Sequence, residues 1–178
     1  MNTGYENDAC HNVTPAEVSA VWIDRFQIFK FEKSCASYLL YEGAVYSLGT
    51  WFGGIGFTDA AVADLNRDGA EELYFTCSWG SGMHRAQAGC FDPARREVRM
   101  FDFAYAHSGQ ESGGELVLRA DGEGIGVFAA ELAAKSFVDF TLVPVKEVAR
   151  IASGEGGVTL TSANGNADFY PLESDSGA

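Results

Sequence analysis

Four turn signals set the grammar of this chain. Glu42-Gly43, Asp92-Pro93, Asp121-Gly122 and Asn164-Gly165 each separate two runs of β-prone residues. Glycine reaches the left-handed backbone region without steric cost, proline fixes φ, and Asp or Asn side chains bond their own turn, so such pairs reverse a chain within a few residues. The flanking runs are Tyr38–Tyr41 with Ala44–Leu48, Gly89–Phe91 with Val98–Phe103, Glu115–Arg119 with Ile125–Phe128, and Val158–Thr161 with Asp168–Tyr170. Phe137–Val143 alternates at period two, whereas Pro144–Ile151 reads as a strand or a short helix. Strands joined by tight turns pair antiparallel. The expectation is a mainly β protein, an antiparallel meander of about ten strands.

One helix precedes the meander. Thr14-Pro15-Ala16-Glu17 offers a capping threonine, a proline at the first helical position and a glutamate placed to close a capping box. Val18, Val21, Trp22 and then Arg25 or Phe26 follow at helical spacing, which predicts a helix near 15–26. Asn12-Val13-Thr14 matches a glycosylation sequon, but Thr14 already has a capping role, so the match reads as accidental. No linker or shift in composition divides the chain. Its 178 residues fit a single domain, 1–178, with the polar tail 173–178 frayed.

Composition narrows the partners. Apolar residues make up 47% of the chain, enough for a substantial core. The net charge of −13, from 25 acidic and 12 basic residues, repels phosphate backbones and anionic lipid, so neither nucleic acid nor a membrane surface is an expected partner. No apolar stretch approaches the roughly 20 residues that span a bilayer. The polar start lacks the basic and apolar regions of a secretory leader, so the compartment reads as cytoplasmic by default, or extracytoplasmic if a leader was removed. Cys10, Cys35, Cys77 and Cys90 have no Cys-x-x-Cys spacing and read as buried free thiols, although Cys77 and Cys90 flank one connection and could meet across neighbouring strands.

The segment Asp64-Leu65-Asn66-Arg67-Asp68-Gly69-Ala70-Glu71-Glu72 carries the clearest chemistry. Oxygen-bearing side chains fall at relative positions 1, 3, 5 and 9, with glycine at position 6. Hard Ca²⁺ takes roughly six to eight oxygens. A tight turn pointing Asp64, Asn66 and Asp68 inward supplies three, the carbonyl of Ala70 adds a fourth, and Glu72 closes the shell. An EF-hand is excluded on two counts: position 12 is Phe75, not glutamate, and Leu73-Tyr74-Phe75-Thr76-Cys77 is β-prone where an exiting helix belongs. An Asx-rich turn without metal is the alternative, but it does not demand acids at positions 1, 5 and 9.

The run from Gly56-Phe57-Thr58-Asp59 through Asp64-Leu65-Asn66-Arg67-Asp68-Gly69 to Glu72-Leu73 resembles one FG-GAP/VCBS repeat, the calcium-loop hairpin of integrin-α-type propeller blades. The resemblance spans roughly residues 56–80. It implies that the loop joins two strands of a blade, in a hairpin over 57–78, and that the metal is structural. One copy is present, and a propeller needs about four to eight blades. A partial β-propeller, or a curled sheet that borrows one blade-like hairpin, is therefore the implied architecture.

Two further constellations bear on function. Trp79-Gly80-Ser81-Gly82-Met83-His84 places an imidazole near a serine between glycines. It lacks the Gly-x-Ser-x-Gly elbow, and no acidic partner for His84 is identifiable. Thr50-Trp51-Phe52-Gly53-Gly54 precedes the calcium hairpin and could converge on the same end of the sheet. Trp51, Trp79, Ser81 and His84 are thus candidates for a surface that takes a protein or glycan ligand. His11, His84 and His107 show no metal spacing, and Gly122-Glu123-Gly124-Ile125-Gly126 lacks a nucleotide-loop pattern. The expected function is a non-enzymatic binding or interaction module with a structural calcium loop. The alternative is a small hydrolase using Ser81 or a cysteine with His84.

Overall fold

The computed structural model describes residues 6–49, 53–81, 83–107, 114–134, 136 and 138–172. The described chain contains thirteen strands and one short helix, a mainly β architecture. The meander is divided into three antiparallel sheets, each built in chain order. The first holds β1 (Cys10–Asn12), β2 (Gln27–Phe31), β3 (Ser37–Tyr41) and β4 (Ala44–Ser47), with helix α1 (Ala16–Trp22) between β1 and β2. The second holds β5 (Gly56–Ala63), β6 (Glu72–Trp79), β7 (His84–Asp92) and β8 (Glu97–His107). The third holds β9 (Glu115–Ala120), β10 (Gly124–Ala134), β11 (Phe140–Gly154), β12 (Gly157–Ser162) and β13 (Ala167–Pro171).

The expected turns are where the sequence places them. Glu42 and Gly43 both take positive φ, 47° and 77°, the conformation a two-residue hairpin requires, and Tyr41 pairs with Ala44 across them. Gly122 and Gly165 are also left-handed, at 85° and 89°. Pro144–Ile151 is strand throughout, the middle of a fifteen-residue β11, and register shifts opposite Phe128 and Ala130 absorb the proline that cannot donate to the ladder.

The helix differs from expectation. It ends at Trp22, where Arg25 and Phe26 both donate to the Trp22 carbonyl and turn the chain into β2, so the predicted stretch to residue 26 is cut short. Nor does Thr14 cap it: Pro15 occupies the cap position without a side-chain bond. The Thr14 hydroxyl instead accepts from the Ile28 amide at 2.8 Å and donates to Asn12 Oδ1 at 2.7 Å. A long-range bond to a strand has taken the oxygen that local pattern assigned to the helix.

Two apolar clusters hold the sheets together, and the second sheet belongs to both. Leu73, Phe75, Cys77 and Phe91 pack with Phe26, Ile28, Leu39 and Leu48 of the first-sheet region. Tyr74, Ala86, Ala88 and Cys90 pack with Leu116, Ile125, Val127 and Ile151 of the third. Successive residues of β6 therefore point into different cores, and all but Trp79 are buried. A strand covered on both faces needs a near-continuous apolar run, and Leu-Tyr-Phe-Thr-Cys provides it, with the one hydroxyl, on Thr76, bonded to the Leu116 carbonyl. Truncating Phe75 to alanine should cost about 3–5 kcal/mol in urea denaturation, because this fully buried ring sits where collapse is resisted from both neighbouring strands.

Candidate metal centre

Residues 64–71 form the connection between β5 and β6. Arg67 and Gly69 take positive φ, 61° and 89°, and wind the chain inward. Three short-range bonds hold that shape. Gly69 N donates to Asp64 Oδ2 at 3.0 Å, Asp68 N to Asn66 Oδ1 at 3.1 Å, and Ala70 N to Asp68 Oδ1 at 2.7 Å. One carboxylate oxygen from each of Asp64, Asp68 and Glu72 then lies within 4.8 Å of the others. Asn66, 4% exposed, also donates from Nδ2 to Asp68 Oδ2 at 3.1 Å.

Glu72 is the unusual member. It is wholly buried, and its Oε2 accepts from Leu65 N at 3.3 Å and from the Tyr74 hydroxyl at 3.1 Å. Its Oε1, like Asp64 Oδ1, is buried with no hydrogen-bond partner. Burial pushes the Glu72 carboxyl up to about 7, the neighbouring Asp68 and Asp64 charges add to the rise, and the Tyr74 and Leu65 bonds oppose it. An unsatisfied buried acceptor costs about 1–3 kcal/mol, more when charged. Two such oxygens belong to residues of one three-carboxylate cluster, a donor set of oxygens alone, the kind that hard cations take. Glu71, by contrast, turns outward and accepts from Trp22 Nε1 at 2.5 Å and Arg25 Nη1 at 3.2 Å.

The other sequence candidates lie at the far end of β6. Trp79 Nε1 donates to Gln87 Oε1 at 2.8 Å, and the Arg85 guanidinium stands 5.1 Å from the Trp79 ring centroid. Ser81 is exposed. Eight residues of extended strand separate this end from Glu72 by roughly 23 Å. Trp51 lies outside the described residues, as does the tail 173–178. The convergence of the two glycine segments is present nonetheless, since Gly53 and Gly80 form a parallel bridge.

His84 does have an acidic neighbour, contrary to the reading of the sequence. Its Nδ1 lies 3.9 Å from Oε1 of the buried Glu115. Glu115 comes from β9 in the third sheet, thirty-one residues further on, so no local motif could reveal it. Burial raises the Glu115 carboxyl above its ordinary value, while Ser78, His84 and Lys30 pull the other way. Lys30 is fully buried as well; its Nζ donates to the Phe57 carbonyl at 3.1 Å and lies 4.8 Å from the Phe140 ring centroid. Burial lowers its ammonium to about 8 against the opposing pull of Cys35 and Glu115.

The thiols do not meet. Cys77 pairs with Gln87 and Cys90 with Tyr74, and the two side chains enter opposite cores. All four cysteines are free; Cys35, Cys77 and Cys90 are buried as expected, and Cys10 is exposed. Burial pushes Cys77 up to about 12 and raises Cys35 and Cys90, the reverse of what a nucleophilic thiol needs. Among the described residues no helix is long and apolar enough to cross a membrane. Comparison with known proteins returns no match: no protein-family model, curated protein or solved structure aligns with the chain.

Folded Lys30 releases its proton near pH 8, an unfolded lysine near 10.5, so across that window the unfolded chain binds more protons and stability rises with pH. Measured by urea denaturation, the wild type should gain roughly 2–3 kcal/mol on Lys30→Met between those two pH values. Parallel pH profiles for the two proteins would refute it.

Proposed function

We propose that this chain is a non-enzymatic binding or interaction module whose Asp64–Glu72 loop holds a structural calcium ion. The observation that carries the reading is the pair of orphaned buried oxygens, Asp64 Oδ1 and Glu72 Oε1, in a cluster of three carboxylates. Packing alone gives no reason to bury two uncompensated acceptors beside a third acid. A divalent cation compensates both and relieves the mutual repulsion. Asp64, Asp68 and Glu72 would hold it, with Asn66 and the Ala70 carbonyl as further oxygens. Oxygen-only donors of mixed type, carboxylate, amide and backbone carbonyl, favour Ca²⁺ over Mg²⁺, which demands near-octahedral geometry. The likeness to the FG-GAP/VCBS hairpin agrees, since the loop joins the first two strands of a four-stranded sequential sheet.

The remaining chemistry supports binding over turnover. The hydrolytic alternative gains an acid, Glu115, for His84, but the buried thiols are pushed away from the thiolate and Ser81 stands on the exposed side of the turn. Trp79 and His84, both partly exposed, with Ser81 offer an aromatic and polar surface for a protein or glycan.

Calcium at about 100-fold above its Kd should stabilise the protein by about 2.7 kcal/mol over a chelated sample, seen as a rise in Tm. Asp68→Asn should weaken the effect and Glu72→Gln should abolish it. Absence of both a Tm shift and calorimetric heat at millimolar calcium would overturn the metal assignment.

A further inference from the structure

The loop does more than close its own hairpin, because its residues reach the third sheet on one side and the helix-containing connection of the first on the other. Leu65, the second residue of the loop, makes three connections at once. Its amide donates to Glu72 Oε2 at 3.3 Å, inside the carboxylate cluster. Its side chain, 8% exposed, is part of the apolar core shared with the third sheet. Its carbonyl accepts from the Ser153 hydroxyl at 2.5 Å, near the end of β11 and eighty-eight residues away in sequence. On the other flank, Glu71 binds Trp22 and Arg25 beside the first sheet.

Resting on the calcium reading above, we propose that occupancy of this loop latches the second sheet to the third through Leu65 and Ser153. The physical cause is the arrangement of charge. Without a cation, three carboxylates whose oxygens lie within 4.8 Å repel one another, and the orphaned Asp64 oxygen gains by swinging toward water. Glu72 begins the doubly buried β6 and cannot move far, so the strain falls on the Asp64–Asp68 side of the loop. Leu65 lies within that side. Any opening draws its amide from Glu72, its side chain from the core and its carbonyl from Ser153 together. A bound divalent cation removes the repulsion and holds all three contacts. Beyond the Leu65–Ser153 contact a space of about 320 Å³, lined by Asn66, Arg67, Ser153, Gly154, Glu155 and Gly156, lies between the loop and the β11–β12 turn.

Ser153 donates no ligand to the cluster, which makes the latch separable from the metal site. Coupling free energies are reciprocal: if calcium strengthens the Ser153 contact, the contact must strengthen calcium binding by the same factor. One hydrogen bond corresponds to about a fivefold change in affinity. The experiment uses the full chain with CaCl2 and with chelator. Calorimetry on wild type and Ser153→Ala should show about fivefold weaker calcium binding in the variant, with its stoichiometry unchanged. Hydrogen exchange on the wild type alone should show calcium slowing exchange at residues 153–157 as well as at 64–72, a readout that needs no variant to fold. Equal affinities, with protection confined to 64–72, would overturn the latch and leave the calcium site standing. No binding by the wild type would overturn both.

Discussion

A carboxylate at the root of a strand covered on both faces is the constraint around which the second sheet is organised. Glu72 opens β6, and every following residue to Ser78 is buried between one core and the other. The side chain therefore has no route to solvent along its own strand. Its Oε2 is met by the Tyr74 hydroxyl of the same strand and by Leu65 N, and the second bond requires the loop to fold back over the strand end. That return fixes Ala63 opposite Glu72, and the register between β5 and β6 follows from it. A slip of one residue would send Leu73, Phe75 and Cys77 toward the third sheet and Tyr74 and Thr76 toward the first. Neither core could accept the exchange: Thr76 now donates to the Leu116 carbonyl at 3.1 Å, and Phe75 fills an apolar site.

Features governed by nearest neighbours were legible in the sequence. Glu42-Gly43 needs positive φ at both residues, Asp92 accepts from Ala94 N at 2.9 Å, and Asp121 accepts from Gly124 N at 3.1 Å, so each turn is a local event that residue type announces. The loop belongs to the same class, because Asp64, Asn66 and Asp68 bond backbone or side chains within five residues. Partition into three sheets was not legible, since alternation tells which residues share a face but not what covers it. Thr14 shows the same limit: its neighbours made it a cap, and Ile28, fourteen residues away, made it a strand contact. Lys30 could have been found. Phe26, Ile28 and Lys30 share one parity, the first two are apolar, and that places the ammonium inside. Glu115 had no such signal, because its meaning depends on His84 and Lys30 arriving from two other sheets.

The glycines and the acids then separate into two kinds of evidence. Around Trp79 three glycines have a structural account. A Cβ on Gly53 would stand 2.3 Å from the Gly80 carbonyl oxygen, one on Gly54 would meet the Ser78 oxygen at 2.5 Å, and one on Gly80 would meet the Met83 oxygen at 2.3 Å. Backbone crosses backbone there, and only glycine permits it. Gly80 beside Ser81 thus needs no catalytic explanation, although Ser81 and Trp79 remain open to a partner. At Asp64 and Glu72 the opposite holds. Nothing in the packing calls for two buried acceptors without donors, and isosteric amides there would fill the same space at lower electrostatic cost. A feature that folding alone does not require, placed where the loop touches the third sheet and the segment between β1 and β2, is where function is to be sought.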